Sequence, residues 1–205
     1  MLSDPVPEAL ASHLWPDHLA LTDSQTMVDY YRLTTDRRVA FGKGGWTIAL
    51  GGRIGPRFDH HPGRAALVEG DFRRYYPALA SVPVAAAWSG PIDRTQDSLP
   101  LLGRLGGREN ILYGVGWSGN GVGPSAMGGK ILASLALGRG DEWARHPLVD
   151  RRPRRFPPEP IRFIGAHVVR TAVAAKERAE ARNAKPPRWA VALSRLAPAG
   201  LEDKD

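Results

Sequence analysis

With 205 residues, 42% of them hydrophobic, and no cysteine, the chain can bury one substantial core or two small ones, and it excludes disulfides, thiolate metal sites and a cysteine nucleophile. No apolar run reaches the roughly 20 residues that span a bilayer, and the opening MLSDPVPEAL has neither the basic nor the apolar stretch of a signal peptide, so a cytoplasmic soluble protein is expected. The formal charge of +7 raises the question of a polyanionic partner. Much of the excess sits in Arg151, Arg152, Arg154 and Arg155, interleaved with Pro153, Pro157, Pro158 and Pro160, which is the composition of a solvated, extended connector. Polyanion binding through Arg151 to Arg155 stands as the alternative, and no nucleic acid is expected, because no stacking aromatics are interleaved there.

In chain order, residues 1–25 carry prolines and little periodicity and read as a connector with a short helical stretch over residues 8–14. Residues 26–34 and 37–41 are β-rich runs on either side of Thr35 and Asp36, a spacing that predicts a hairpin. Residues 46–50, bounded by glycine pairs, predict a third strand of an antiparallel meander. Between residues 64 and 79, Val68, Phe72, Tyr75, Tyr76 and Leu79 recur at helical spacing, and Pro77 ends the helix. Residues 84–88 and 110–116 have strand composition. Pro124 suits a first helical turn, Met127, Ile131 and Leu135 supply the period, and Gly138 the stop. After the connector at residues 146–160, Ile161, Ile164, Val168, Val169, Ala172 and Ala179 mark a second amphipathic helix, ending near Asn183, within a tail of residues 161–205. The expected class is α+β, and no internal repeat is present.

The densest unusual feature joins the strand at 110–116 to the helix after it, where glycines stand at 114, 116, 119, 121 and 123. Ordering so many glycines costs conformational entropy, which a chain tolerates where its backbone must take φ > 0 or approach a ligand closely. The helix N-terminus that follows offers free N–H donors and the positive end of a dipole, suited to an electron-rich group. The plainer reading is a surface turn. Gly114, Gly116 and Gly119 match the dinucleotide fingerprint literally, yet residues 139–147 have no strand character, so the βαβ setting that motif needs is not expected. Ser118 resembles a nucleophile elbow, but Asn120 stands where that pattern needs glycine. His60 and His61 read as loop histidines, since adjacent residues point apart and no third ligand has metal spacing. Tyr30, Tyr31 and Arg32 read as sheet packing or as substrate groups.

Taken in order, residues 30–42, Trp88 to Gly90 with Thr95, Asp97 and residues 100–103, the loop of residues 114–123, and the tail motif at residues 156–162 resemble the C-terminal half of the D-amino-acid-oxidase-like family of FAD-dependent oxidoreductases. The likeness is nearest the branch of glycine oxidase and γ-glutamylputrescine oxidase. It implies an antiparallel (mixed) sheet substrate domain over residues 26–90, containing the helix at 64–79, and the C-terminal strand-loop-helix of an FAD-binding domain over residues 91–145. The N-terminal Rossmann part, which binds the ADP end of FAD, is missing from this expectation. An incomplete FAD site follows from it, and the alternative is a catalytically inactive truncated module or a subunit completed by a separate FAD-binding chain. By position, Gly119, Asn120, Gly121 and Val122 are the implied flavin contacts, flanked by Ser118 and Trp117. Tyr31 or Arg32, with Trp117, fall on the side of an amine or amino-acid substrate, and no catalytic residue is assigned. Members acting on amino acids carry an arginine just before the segment matching Thr95; Ile92 occupies it here, with Arg94 nearby, which favours an amine.

Overall fold

The computed structural model describes residues 1–17, 19–45 and 47–198. They form two compact units, one built chiefly from Met1–Pro91 with Phe163–Arg195, the other chiefly from Ile92–Arg162. Both are α+β with antiparallel sheets.

The first unit opens with β1 (Leu2–Ser3) and α1 (Glu8–Leu14), followed by β2 (Ala20–Thr22), β3 (Asp29–Leu33) and β4 (Val39–Lys43). The predicted hairpin is β3 and β4, in the register Tyr31↔Phe41. Alternation along β3 and β4 sends Asp29, Tyr31, Leu33, Val39, Phe41 and Lys43 to one face, which α2 (Pro62–Tyr75) covers with Phe72 and Val68. Pro62 starts α2 at a position where the lost N–H has no partner anyway. It stops at Tyr76, whose backbone (φ −127°, ψ 70°) has left the helical region that a following proline disfavours. β5 (Val84–Ala86) completes a five-stranded sheet in the order β2-β3-β4-β1-β5.

Two expectations change here. Residues 1–25 are more than a connector: β1 lies between β4 and β5, and Val6, Ala11 and Trp15 are buried in the core. Trp46 of the third strand expected at residues 46–50 lies outside the described residues, and the rest forms no strand: 47–49 run as irregular chain into a 3-10 turn at Leu50–Gly52, where Gly51 takes φ 63°. The glycines that bound this stretch end any ladder before it starts. The place beside β4 is taken by β1, whose short apolar sequence carries no strand period of its own.

The second unit is a hairpin of β6 (Leu101–Leu105) and β7 (Arg108–Val115) around Gly106 and Gly107, covered by α3 (Val122–Ala136). Leu102, Ile131, Leu135 and Leu148 are its buried centre. Gly138, at φ 62°, closes α3 as the pattern required, and the N–H of Arg139 donates to the Ser134 carbonyl at 3.0 Å. No second strand follows α3 among the described residues, only an isolated parallel bridge from Val149 to Leu102. The start of the expected linker is therefore packed: the N–H of Asp150 donates to the Leu102 carbonyl at 2.8 Å. Arg151 is fixed as well, its guanidinium forked onto Asp97 at 2.6 and 2.7 Å and donating to the carbonyls of Leu99 and Pro100. One of the four arginines of the alternative polyanion site is thus committed inside the fold.

The chain then returns to the first unit as α4 (Ile161–Glu180), the expected tail helix, and α5 (Arg188–Ser194). No described helix is long and apolar enough to cross a membrane.

Candidate flavin-binding turn

In the second unit, the turn from β7 to α3 is held by three residues of the segment before β6. The Asp93 carboxylate accepts the N–H of Gly116, and its carbonyl accepts the N–H of Ser118 at 3.0 Å. Arg94 donates to the Ser118 carbonyl at 3.2 Å and to Ser98 Oγ at 3.0 Å; burial holds its guanidinium below the ordinary arginine range. Thr95 donates its N–H to Ser118 Oγ at 3.3 Å. Gly116 and Gly119 take φ 78° and 87°, and Ser118 φ 55°, so the glycines meet a left-handed requirement at two of the five positions. At Gly116 a side chain would also run into Thr95 Cγ2, 2.6 Å from where its Cβ would stand.

Ser118 is 4% exposed; its hydroxyl donates to the Gly116 carbonyl at 3.1 Å and its N–H is used by Asp93. It acts as an internal strut of the turn. Asn120 likewise spends its N–H on the Trp117 carbonyl at 2.9 Å. Trp117 donates from its indole to the Gly114 carbonyl at 3.1 Å, and its ring lies across Gly121 and Gly128 of the turn and α3. Gly128 is the seat of this ring on α3.

What the turn leaves open is the helix start. The N–H groups of Gly119, Gly121, Val122 and Gly123 find no acceptor among the described residues, and no side chain caps Gly121. Val122 is 96% exposed, a Cβ on Gly123 would meet nothing, and Pro124 brings no donor. Four N–H groups on bare backbone, at the positive end of a 15-residue helix, suit the electron-rich edge of an isoalloxazine. On that observation the residues present fit the flavin end of FAD.

Tyr31 and Arg32 belong to the first unit. The Tyr31 ring stacks on Phe41 at 5.3 Å and meets Tyr76 edge-on at 5.5 Å, within the aromatic core. Arg32 is exposed and reaches back to the Leu33 carbonyl at 3.5 Å. The sequence reading missed Asp93 as the anchor of the turn; its only signal was its place two residues before Thr95. It also missed a polar cluster on the buried face of β3 and β4, where Lys43 lies 2.9 Å from Asp29 and 3.2 Å from Asp71. Burial pushes the Asp29 carboxyl up to about 6 despite Lys43. No group of metal-ligating side chains is present among the described residues.

Comparison with known proteins sets this strand-loop-helix and its uncapped glycine turn among FAD-dependent oxidoreductases. The sequence model of the FAD dependent oxidoreductase (DAO) family matches residues 1–135, and the chain belongs to that family. It is 32% identical over 143 residues to the gamma-glutamylputrescine oxidoreductase of Escherichia coli K12, a match covering 68% of this chain and 31% of the relative. It is 28% identical over 136 residues to the probable oxidoreductase OrdL of Haemophilus influenzae, covering 66% and 28%. Against the probable oxidoreductase OrdL of Rhizobium meliloti it is 30% identical over 131 residues, covering 62% and 27%. The chain thus spans less than a third of the length of these relatives.

Proposed function

We propose that this chain forms the substrate-side part of an FAD-dependent oxidoreductase that oxidises the C–N bond of an amine or amino acid. Bound FAD would supply the chemistry by accepting a hydride from the carbon beside the nitrogen, the imine product then hydrolysing. The chain's own part is electrostatic. Gly119, Gly121, Val122 and Gly123 keep N–H groups without an acceptor among the described residues, and donors fixed in advance stabilise the negative charge of the reduced state more than the neutral oxidised one. Asp93, Arg94 and Thr95 keep those donors aligned, and Trp117 closes the inner side of the turn. The open, uncapped start of α3 is the observation that carries this reading.

For the substrate, an amine is preferred to an α-amino acid. Ile92 cannot receive a carboxylate, and Arg94 is engaged with Ser118 and Ser98. The relative from Escherichia coli is named for a glutamylated putrescine, which supports the same preference. Among the described residues no βαβ unit offers a site for the ADP end of FAD. The coverage of the relatives therefore favours a second reading, a module that works only with a separate FAD-binding chain or segment.

The test is anaerobic mixing of the FAD-loaded protein, alone and with the FAD-binding half of a relative, with γ-glutamylputrescine, putrescine and glycine. Bleaching of the visible flavin absorption by the amines is expected, in the mixture if not in the single chain. Flavin that binds and stays oxidised with every substrate would overturn the assignment.

A further inference from the structure

The first unit holds a cavity of about 750 Å³, within the size range of small-molecule sites. Its charged lining is made of four arginines, Arg53, Arg57, Arg64 and Arg170, beside Thr47, His61 and His167. Among the described residues no carboxylate lines it. Arg53, Arg57 and Arg170 make no ion pair among the described residues, although the chain as a whole pairs many of its arginines with acids. Arg64 and Arg170 face each other closely enough that the charge of Arg170, after burial, lowers the affinity of the Arg64 guanidinium for its proton. Like charges gathered in a half-enclosed space repel, and an anion between them would relieve the repulsion.

The local fold adds to this field. α2 begins at the cavity: His61 is its N-cap, Gly63 and Arg64 lie in its first turn, no side chain caps it, and that turn holds no acidic residue. Pro62 brings no donor and the N–H of Arg64 goes to the His61 carbonyl at 2.9 Å, so the helix adds its dipole and the N–H of Gly63, in the same sense as the arginines. On the remaining walls stand Ile48, Leu50, Leu67 and Phe163. An inorganic ion would leave these apolar walls unused.

We infer that this cavity of the first unit is an anion site for a small organic molecule that carries a doubly charged oxyanion head on an apolar or aromatic body. The head sits among Arg57, Arg64 and Arg170, whose planar forks pair with phosphate or carboxylate oxygens two at a time. The body lies against Leu67 and Phe163. A phosphate ester and a dicarboxylate share this chemistry, and probes of each kind separate them.

The experiment is calorimetric titration of the full chain with naphthyl phosphate, phthalate and inorganic phosphate. Saturable binding is expected for naphthyl phosphate or phthalate, the tighter of the two naming the head group. Inorganic phosphate should bind more weakly than naphthyl phosphate, and added salt should weaken all of them. In the double variant Arg64→Gln, Arg170→Gln the affinity should fall by about tenfold or more, the loss of at least one charge-assisted hydrogen bond. The exposed Arg57→Gln, which puts little of the fold at risk, should show a smaller loss in the same direction, and Arg154→Gln none. Circular dichroism checks that each variant is folded. Absence of saturable binding by both organic probes, or binding that Arg57→Gln and the double variant leave unchanged, would overturn the inference.

Discussion

The carboxylate of Asp93 accepts the backbone N–H of Gly116, a glycine held at φ 78° just where β7 gives way to the turn. The same residue's carbonyl takes the N–H of Ser118, so a single side chain and its own peptide fix two successive bends. Replacing Asp93 with Ala removes a charge-assisted acceptor and should cost about 1–3 kcal/mol in urea denaturation. Asp93→Asn keeps an oxygen in place and should lose clearly less. Equal losses in the two variants would show that the carboxylate charge, and not its position, matters.

Adjacent glycines of α3 give a paired prediction. A Cβ at Gly128 would lie 2.5 Å from Trp117 Cη2, whereas at Gly129 it would meet nothing within 4 Å. Gly129→Ala should stabilise the protein by roughly 0.5–1 kcal/mol through helix propensity and a less flexible unfolded chain. Gly128→Ala gains the same propensity, but overpacking of about 1–3 kcal/mol outweighs it. It should destabilise the protein and change the tryptophan fluorescence. Identical melting curves for the two variants would refute the seat assigned to Trp117.

Much of this arrangement is legible from sequence because it rests on local rules. The hairpin of β3 and β4, the stripe on α2, the glycine stop of α3 and the helix of the tail follow from period and punctuation. What escaped is non-local. β1 is two residues long and gains its place through pairing with β4 and β5. Asp29 and Lys43 look like ordinary surface charges until the register sets them opposite each other on the inward face. In the turn, the glycines announce a backbone requirement but not which N–H groups stay free. That depends on Asp93 and Trp117 capturing the others.

The buried carboxylates set a pH dependence. Burial raises Asp29 from 3.8 to about 6, against the pull of Lys43, and raises Glu177 in the same direction. A raised value means that the native state holds its proton more tightly than the unfolded chain. The contribution is therefore present in full below about pH 4 and is lost as pH climbs through about 6. For Asp29 its ceiling is about 3 kcal/mol, from a shift of roughly two units. Urea melts between pH 4 and 7 should show Asp29→Asn gaining on the wild type as pH rises. A constant difference across that range would contradict the assignment.

Arg151 works in the opposite sense. Its fork holds the Asp97 carboxyl well below the usual carboxylate range, so the pair's contribution is present above about pH 4 and lost on acidification. Because Asp97 is 42% exposed, solvent screens the pair, and the carbonyl contacts to Leu99 and Pro100 make up much of the effect. Arg151→Lys keeps the charge without the fork and should still destabilise the protein measurably in neutral urea melts. Unchanged stability in Arg151→Lys would mean that only the charge counts.

The central claim is that the backbone between Trp117 and Pro124 receives the isoalloxazine, and amide chemical-shift mapping with riboflavin tests it residue by residue. Riboflavin carries the ring system without phosphate, so the arginine cavity of the first unit gives it no anchor. Shifts concentrated at Gly119, Gly121, Val122 and Gly123, and weakened in Asp93→Ala, are the expected result. Shifts confined to other residues, with these four amides unmoved at saturating riboflavin, would contradict it.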